Sequence, residues 1–137
     1  MMGRPESLGI IPQAINDFFE HIRTDSTGQE YLVSVSYLEI YKDQAKDLLS
    51  SSDDSQPQSL AIRHDGTFYA QGLEKIPVGR TQEVLGCIDK GERRRHMEKT
   101  DFNERSSRSH CILRLYVESS GIGEHAIARK SHLVRTC

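Results

Sequence analysis

The amino-acid sequence predicts an α/β fold, a sheet with helices packed on it. Three stretches carry that expectation. Tyr31 to Tyr41 is rich in Val, Ile and Tyr, with Leu32, Leu38 and Ile40 on one face and Val33, Val35 and Tyr37 on the other. A strand apolar on both faces fits the middle of a sheet covered on both sides. Cys111, Leu113, Leu115 and Val117 alternate with Ile112, Arg114, Tyr116 and Glu118, the period of a strand. Ile11, Ile15, Phe18 and Ile22 recur at three- and four-residue steps, the apolar face of an amphipathic helix.

In chain order, Gly9-Ile10-Ile11-Pro12 reads as a turn into that first helix, with Pro12 tolerated in its opening turn. Asp25-Ser26-Thr27-Gly28 ends it. After the Tyr31–Tyr41 strand, Asp43 to Leu49 is compatible with a short helical turn, and Ser50 to Ser59 is a polar loop. Leu60–Arg63 and Thr67–Ala70 flank His64-Asp65-Gly66, and Asp-Gly between short β-like runs signals a hairpin. Gly72 to Val78 continues as extended chain. Thr81 reads as an N-cap, with Glu83 favourable in the first turn of a helix that buries Val84, Leu85 and Ile88. That helix stops at Gly91 or runs on through Arg93-Arg94-Arg95. Ser119 to Gly123 turns the chain, and Ala126 to Val134 is placed to return antiparallel beside the Cys111–Glu118 strand. The two helices are expected to pack on the sheet, with Tyr31–Tyr41 and Cys111–Glu118 as neighbours.

The composition fits one ordinary domain. The 137 residues are 36% hydrophobic and 28% charged, with a net charge of −2. That balance argues against a general nucleic-acid binder. No apolar run approaches the roughly 18 residues that span a membrane. Met1 to Ser7 lacks a signal-peptide pattern. Cys87, Cys111 and Cys137 are isolated and form neither zinc spacing nor a disulfide framework, which points to a reducing compartment. Charge is uneven. Residues 1–50 carry four Lys/Arg against eight Asp/Glu, and residues 90–110 carry seven against four.

The basic surplus surrounds Asn103-Glu104-Arg105-Ser106-Ser107-Arg108-Ser109-His110. This stretch holds no large apolar side chain, yet it leads directly into a core strand, a common position for a working site. Ser106 and Ser107 offer adjacent hydroxyls for a metal ion or a phosphate oxygen. Arg108 offers a rigid fork for a carboxylate or phosphate. On chemistry alone, a solvated Ser/Arg loop or a phosphorylation target explains the stretch as well. Arg93-Arg94-Arg95 reads as a charge cluster able to attract an anionic ligand weakly.

Asn103 to His110 resembles the switch I motif of kinesins, N-x-x-S-S-R-S-H. Further stretches are similar in order and spacing: Gly9-Ile10-Ile11-Pro12, Val35 to Tyr41 followed by Asp47-Leu48-Leu49, Gly72-Leu73, Val84-Leu85 and Lys90-Gly91. The resemblance runs from about Gly9 to Val134 and treats residues 1–137 as a partial motor domain. It implies a P-loop NTPase-like α/β fold, with a mostly parallel central sheet, helices on both faces and a small β-hairpin lobe. It implies ATP and Mg in the complete motor, a microtubule as partner, and cytoplasmic work on the cytoskeleton. By the same resemblance, Ser107 binds Mg and helps handle the attacking water. Asn103 and Ser106 lie near the γ-phosphate, and Arg108 pairs with a switch II glutamate. Arg63 and His64, in the hairpin lobe, become the candidate tubulin contacts.

The departures set the expectation for this chain by itself. The glycine-rich G-x-x-x-x-G-K-[ST] loop is absent, and Arg135-Thr136-Cys137 stands where the switch II sequence should start. Glu98 and Lys99 replace residues that are usually small or apolar in the approach to switch I. The chain is therefore expected to be a fragment of a microtubule motor, neither binding ATP tightly nor hydrolysing it alone, with its oligomeric state set by a stalk it lacks. The alternative is a non-catalytic piece that touches tubulin or another motor. No nucleic-acid or membrane partner is expected.

Overall fold

The computed structural model describes residues 3–4, 7–51, 58–97, 109–121 and 129–136. In chain order its elements are β1 (Gly3–Arg4), β2 (Ser7–Leu8), α1 (Ile10–Thr24), β3 (Gln29–Tyr41), β4 (Gln44–Asp47), β5 (Gln58–His64), β6 (Phe68–Gln71), β7 (Ile76–Pro77), α2 (Thr81–Met97), β8 (Ser109–Gly121) and β9 (Arg129–Thr136). β1 and β2 form a separate two-stranded ribbon. The remaining strands form one sheet in the order β6-β5-β4-β3-β8-β9, with β7 also paired to β3.

The α/β class, the hairpin lobe and the β3–β8 neighbour pair are as the sequence led us to expect. The mostly parallel pairing is not. Every pairing among the described strands is antiparallel. The reason lies in the connections. β3–β4 and β5–β6 are hairpins, which force antiparallel neighbours. β8 starts opposite the end of β3, with Ser109 facing Tyr41, so it must run back along that strand.

Helices on both faces also need correction within these residues. α1 and α2 pack together on the single face that carries Val33, Val35 and Tyr37 of β3 and Cys111, Leu113 and Leu115 of β8. Ile15 of α1 and Val84 and Ile88 of α2 close this core. Burying each of the larger side chains contributes roughly 1.5–3 kcal/mol. On the opposite face of β3, Leu38 is buried but Leu32 is 63% exposed, so the strand is not covered evenly on both sides.

α1 follows its predicted face, with Pro12 and Ile15 buried. Its end is fixed by Asp25, whose carboxylate accepts from the Thr27 backbone N–H at 3.0 Å, the Thr27 hydroxyl at 2.7 Å and the Tyr31 hydroxyl. The expected helical turn at Asp43–Leu49 is instead strand β4. Lys42 and Asp43 both adopt positive φ, 48° and 61°, which turns the chain in two residues and returns Gln44 opposite Tyr41. The His64–Phe68 hairpin does form, with Gly66 at φ 93°. α2 runs through Gly91 and the arginines to Met97. Thr81 is already its first helical residue. The Glu83 carboxylate reaches back from the first turn and accepts the Gly79 N–H at 2.7 Å.

Candidate functional site

Asn103, Ser106, Ser107 and Arg108 lie outside the described residues, as do Glu98 and Lys99. The structure describes the frame on either side of them: the last turns of α2 and the first residues of β8. These meet over the Tyr41 end of β3.

Five side chains converge there: Tyr37, Glu39, Glu92, Arg95 and Ser109. Residues 37 and 39 share one face of β3 because strand side chains alternate. Glu92 and Arg95 share one face of α2, three residues apart. The Tyr37 hydroxyl donates to Glu92 Oε1. Arg95 then spreads its guanidinium over three acceptors. Its Nη1 donates to Glu92 Oε2 at 3.4 Å, its Nε to Glu39 Oε1 at 3.3 Å and its Nη2 to Ser109 Oγ at 3.2 Å. The Glu39 side chain is 2% exposed and that of Arg95 15%, so this ion pair is shielded from water. Burial lowers the Arg95 pKa, but the acidic groups around it, Cys111, Glu92, Glu39 and Tyr37, outweigh burial and raise it. The cation is therefore held charged. A buried pair of this kind is costly to break, because removing one member leaves the other uncompensated.

A second buried cluster fixes the β4 exit against α2. Arg94 is buried and donates through Nη1 to the carbonyls of Ser50 at 2.7 Å and Leu48 at 3.3 Å. Asp47 accepts the Leu49 N–H at 2.8 Å and the Glu74 N–H at 2.8 Å. Burial pushes the Asp47 carboxyl above the usual carboxylate range, and these N–H donors offset only part of that. Arg93-Arg94-Arg95 is thus not one solvated charge cluster. Only Arg93, 73% exposed and paired with Asp89, faces water. The polarity of α2 hid this, since a run of arginines reads as surface until its acceptors on β3, β4 and β8 are in place.

Arg63 and His64 are exposed on β5 near the hairpin tip. Arg63 donates through Nε to Gln71 Oε1 at 2.9 Å. As consecutive strand residues the two point to opposite faces, so the lobe does not bring them together on one surface. Among the described residues no group of three or more His, Cys, Asp or Glu is placed to hold a metal ion. No described helix is long and apolar enough to cross a membrane.

Comparison with known proteins agrees with the motif. The sequence profile of the kinesin motor domain matches residues 1–134. Human centromere-associated protein E is 41% identical over 126 residues, covering 90% of this chain and 5% of its own length. The Arabidopsis thaliana kinesin-like protein KIN-7D, mitochondrial, is 45% identical over 126 residues, covering 90% of this chain and 11% of its own. Rat kinesin heavy chain isoform 5C is 35% identical over 133 residues, covering 95% of this chain and 14% of its own. The solved structure of a fast kinesin superimposes with a TM-score of 0.84 at 29% identity, covering 99% of this chain and 38% of that one. The chain thus spans a minor part of each of these proteins. Motif, fold and profile agree that the chain belongs to the kinesin motor domain family.

Proposed function

We propose that this chain is the switch I-bearing part of a motor that couples ATP binding and hydrolysis to movement along microtubules. The observation that carries this reading is the motif Asn103–His110, set between the end of α2 and the start of β8, in a chain whose fold matches a solved kinesin over nearly its whole length.

The donor set fits Mg-ATP. Serine hydroxyls are hard oxygen ligands of the kind Mg²⁺ takes, and the Arg108 fork suits a carboxylate or a phosphate. Ser107 is the residue assigned to the metal. Asn103 and Ser106 are assigned to the γ-phosphate, and Arg108 to closure against a carboxylate of the complete motor. The metal supplies charge neutralisation during phosphoryl transfer, while the protein side chains position the groups that react. A loop ordered by the γ-phosphate and released after hydrolysis is a known switching device. Arg63 is assigned to the acidic surface of tubulin, with His64 on the other face of the same strand near the hairpin tip. This reading places the protein on the microtubule cytoskeleton in the cytoplasm.

No phosphate-cradling G-x-x-x-x-G-K-[ST] loop occurs in residues 1–137, so ATP affinity in these residues alone is expected to be shallow and salt-sensitive. That same observation favours a second reading, a non-catalytic tubulin-binding piece. Phosphate release by the intact protein with Mg-ATP, with and without microtubules, separates them. Acceleration by microtubules supports the motor, whereas microtubule binding without turnover supports the second reading.

A further inference from the structure

We infer that Arg95 is a positioning residue for the switch I loop, and that it acts through Ser109. The inference rests on the motor reading above, and it names the device that holds both ends of the loop. Helix α2 ends at Met97 and strand β8 begins at Ser109, so residues 98–108 connect these two described ends. Arg95 stands in the last turns of α2, before the loop, and its Nη2 donates to Ser109 Oγ, the first residue after it, at 3.2 Å. The same guanidinium is itself held from two other directions, by Glu39 at 3.3 Å and Glu92 at 3.4 Å.

Three acceptors around one planar cation fix its orientation and not only its position. A guanidinium has its N–H groups in a fixed fork, so seating two of them on carboxylates dictates where the third must point. The Ser109 hydroxyl lies on that line. Glu39 sits on β3, directly across from Cys111 of β8, so the anchor for the cation and the start of the returning strand belong to the same rigid pair of strands. The separation of the loop's two ends is thereby set by side-chain geometry. Fixing the two ends of a connecting segment narrows the set of conformations open to it. Hydroxyls that must meet a metal and a phosphate lose rate steeply when misplaced by even about 1 Å. Ser109 is buried, so its hydroxyl has no water to replace a lost partner.

The test is made on the intact protein with three variants: Ser109→Ala, Ser109→Thr and Arg95→Lys. Ser109→Ala removes the acceptor without disturbing the Arg95–Glu39 pair. It should speed amide exchange across residues 98–108 while leaving β3 and the core of β8 protected. It should also lower kcat about tenfold with KM for ATP little changed, since the loss falls on an interaction used in the transition state. Ser109→Thr keeps the hydroxyl and should restore both readouts. Arg95→Lys keeps the charge but not the fork, and should resemble Ser109→Ala. Unchanged exchange in 98–108 with Ser109→Ala, or full activity in Arg95→Lys, would overturn the proposal. An intact protein without any ATP turnover would instead defeat the motor reading, and the exchange measurement would still decide the anchor.

Discussion

Gly91 of α2 lies against the ring of Tyr37 on β3: a Cβ at position 91 would stand 2.6 Å from Tyr37 Cε1 and 3.4 Å from Leu48 Cβ. Neither neighbour can retreat easily. Tyr37 is fully buried and its hydroxyl is held by Glu92, while Leu48 is part of the same core. A glycine inside a helix ordinarily costs about 1 kcal/mol relative to alanine, so a Gly→Ala change there would normally stabilise. Here the overlap wins. Gly91→Ala is expected to destabilise by about 1–3 kcal/mol, the cost of overpacking a filled core. Chemical denaturation measures it, and a raised midpoint in Gly91→Ala would show that the helix can slide away from the sheet.

Asp47 makes a prediction with a definite sign in pH. It accepts from the backbone N–H groups of Leu49, Glu74 and Ser50 in a buried position, so Asp47→Ala should cost about 2–4 kcal/mol through orphaned donors. Burial raises its folded-state pKa above the unfolded value. Its contribution is then fully present below the unfolded pKa of about 3.9 and is lost as pH rises through the folded value. The stability gap between the wild type and Asp47→Ala should therefore widen on acidification. Glu83 works in the opposite sense. The Gly79 N–H first, with Arg80, holds its pKa down, so its contribution is present above the ordinary carboxylate range and lost as pH falls. Thermal midpoints of Asp47→Ala and Glu83→Gln across the acid range check both signs. A gap that narrows for Asp47→Ala contradicts its buried setting.

In the proposed tubulin contact, Arg63→Glu should weaken microtubule affinity, most visibly at low salt where surface charges are least screened. The Arg63–Gln71 bond is exposed, so the fold should tolerate the change. Co-sedimentation with microtubules at two salt concentrations tests it. Equal affinity at low salt would remove Arg63 from the contact.

Much of this fold was legible because its signals are local. The alternation of Cys111 to Val117, the spacing of Ile11, Ile15, Phe18 and Ile22, and the Asp65-Gly66 turn each declare an element without reference to the rest of the chain. β4 was not legible. Gln44-Ala45-Lys46-Asp47 has no strand composition, and what makes it a strand is the pair of positive φ angles at Lys42 and Asp43 plus its pairing with β3 and β5. Pairing direction was misjudged because it depends on where α2 delivers the chain, a property of the assembled sheet. Within the candidate site, the order of residues 103–110 was readable as a motif. The Tyr37–Glu92–Arg95–Glu39–Ser109 network was not, since its members are scattered along the sequence and become partners only after β3, α2 and β8 have packed.

The most direct test of the motor reading is ATP turnover by the intact protein and by its Ser107→Ala variant, with and without microtubules, alongside Mg-ATP affinity by calorimetry. The Ser107 hydroxyl is assigned to the metal and the water, groups that matter most as the phosphate transfers. The expected result is microtubule-accelerated turnover in the wild type, with Ser107→Ala lowering that turnover strongly while Mg-ATP affinity stays largely intact. Near-normal turnover in Ser107→Ala would contradict the account, because a kinesin-like switch cannot lose its metal-binding hydroxyl and keep its rate.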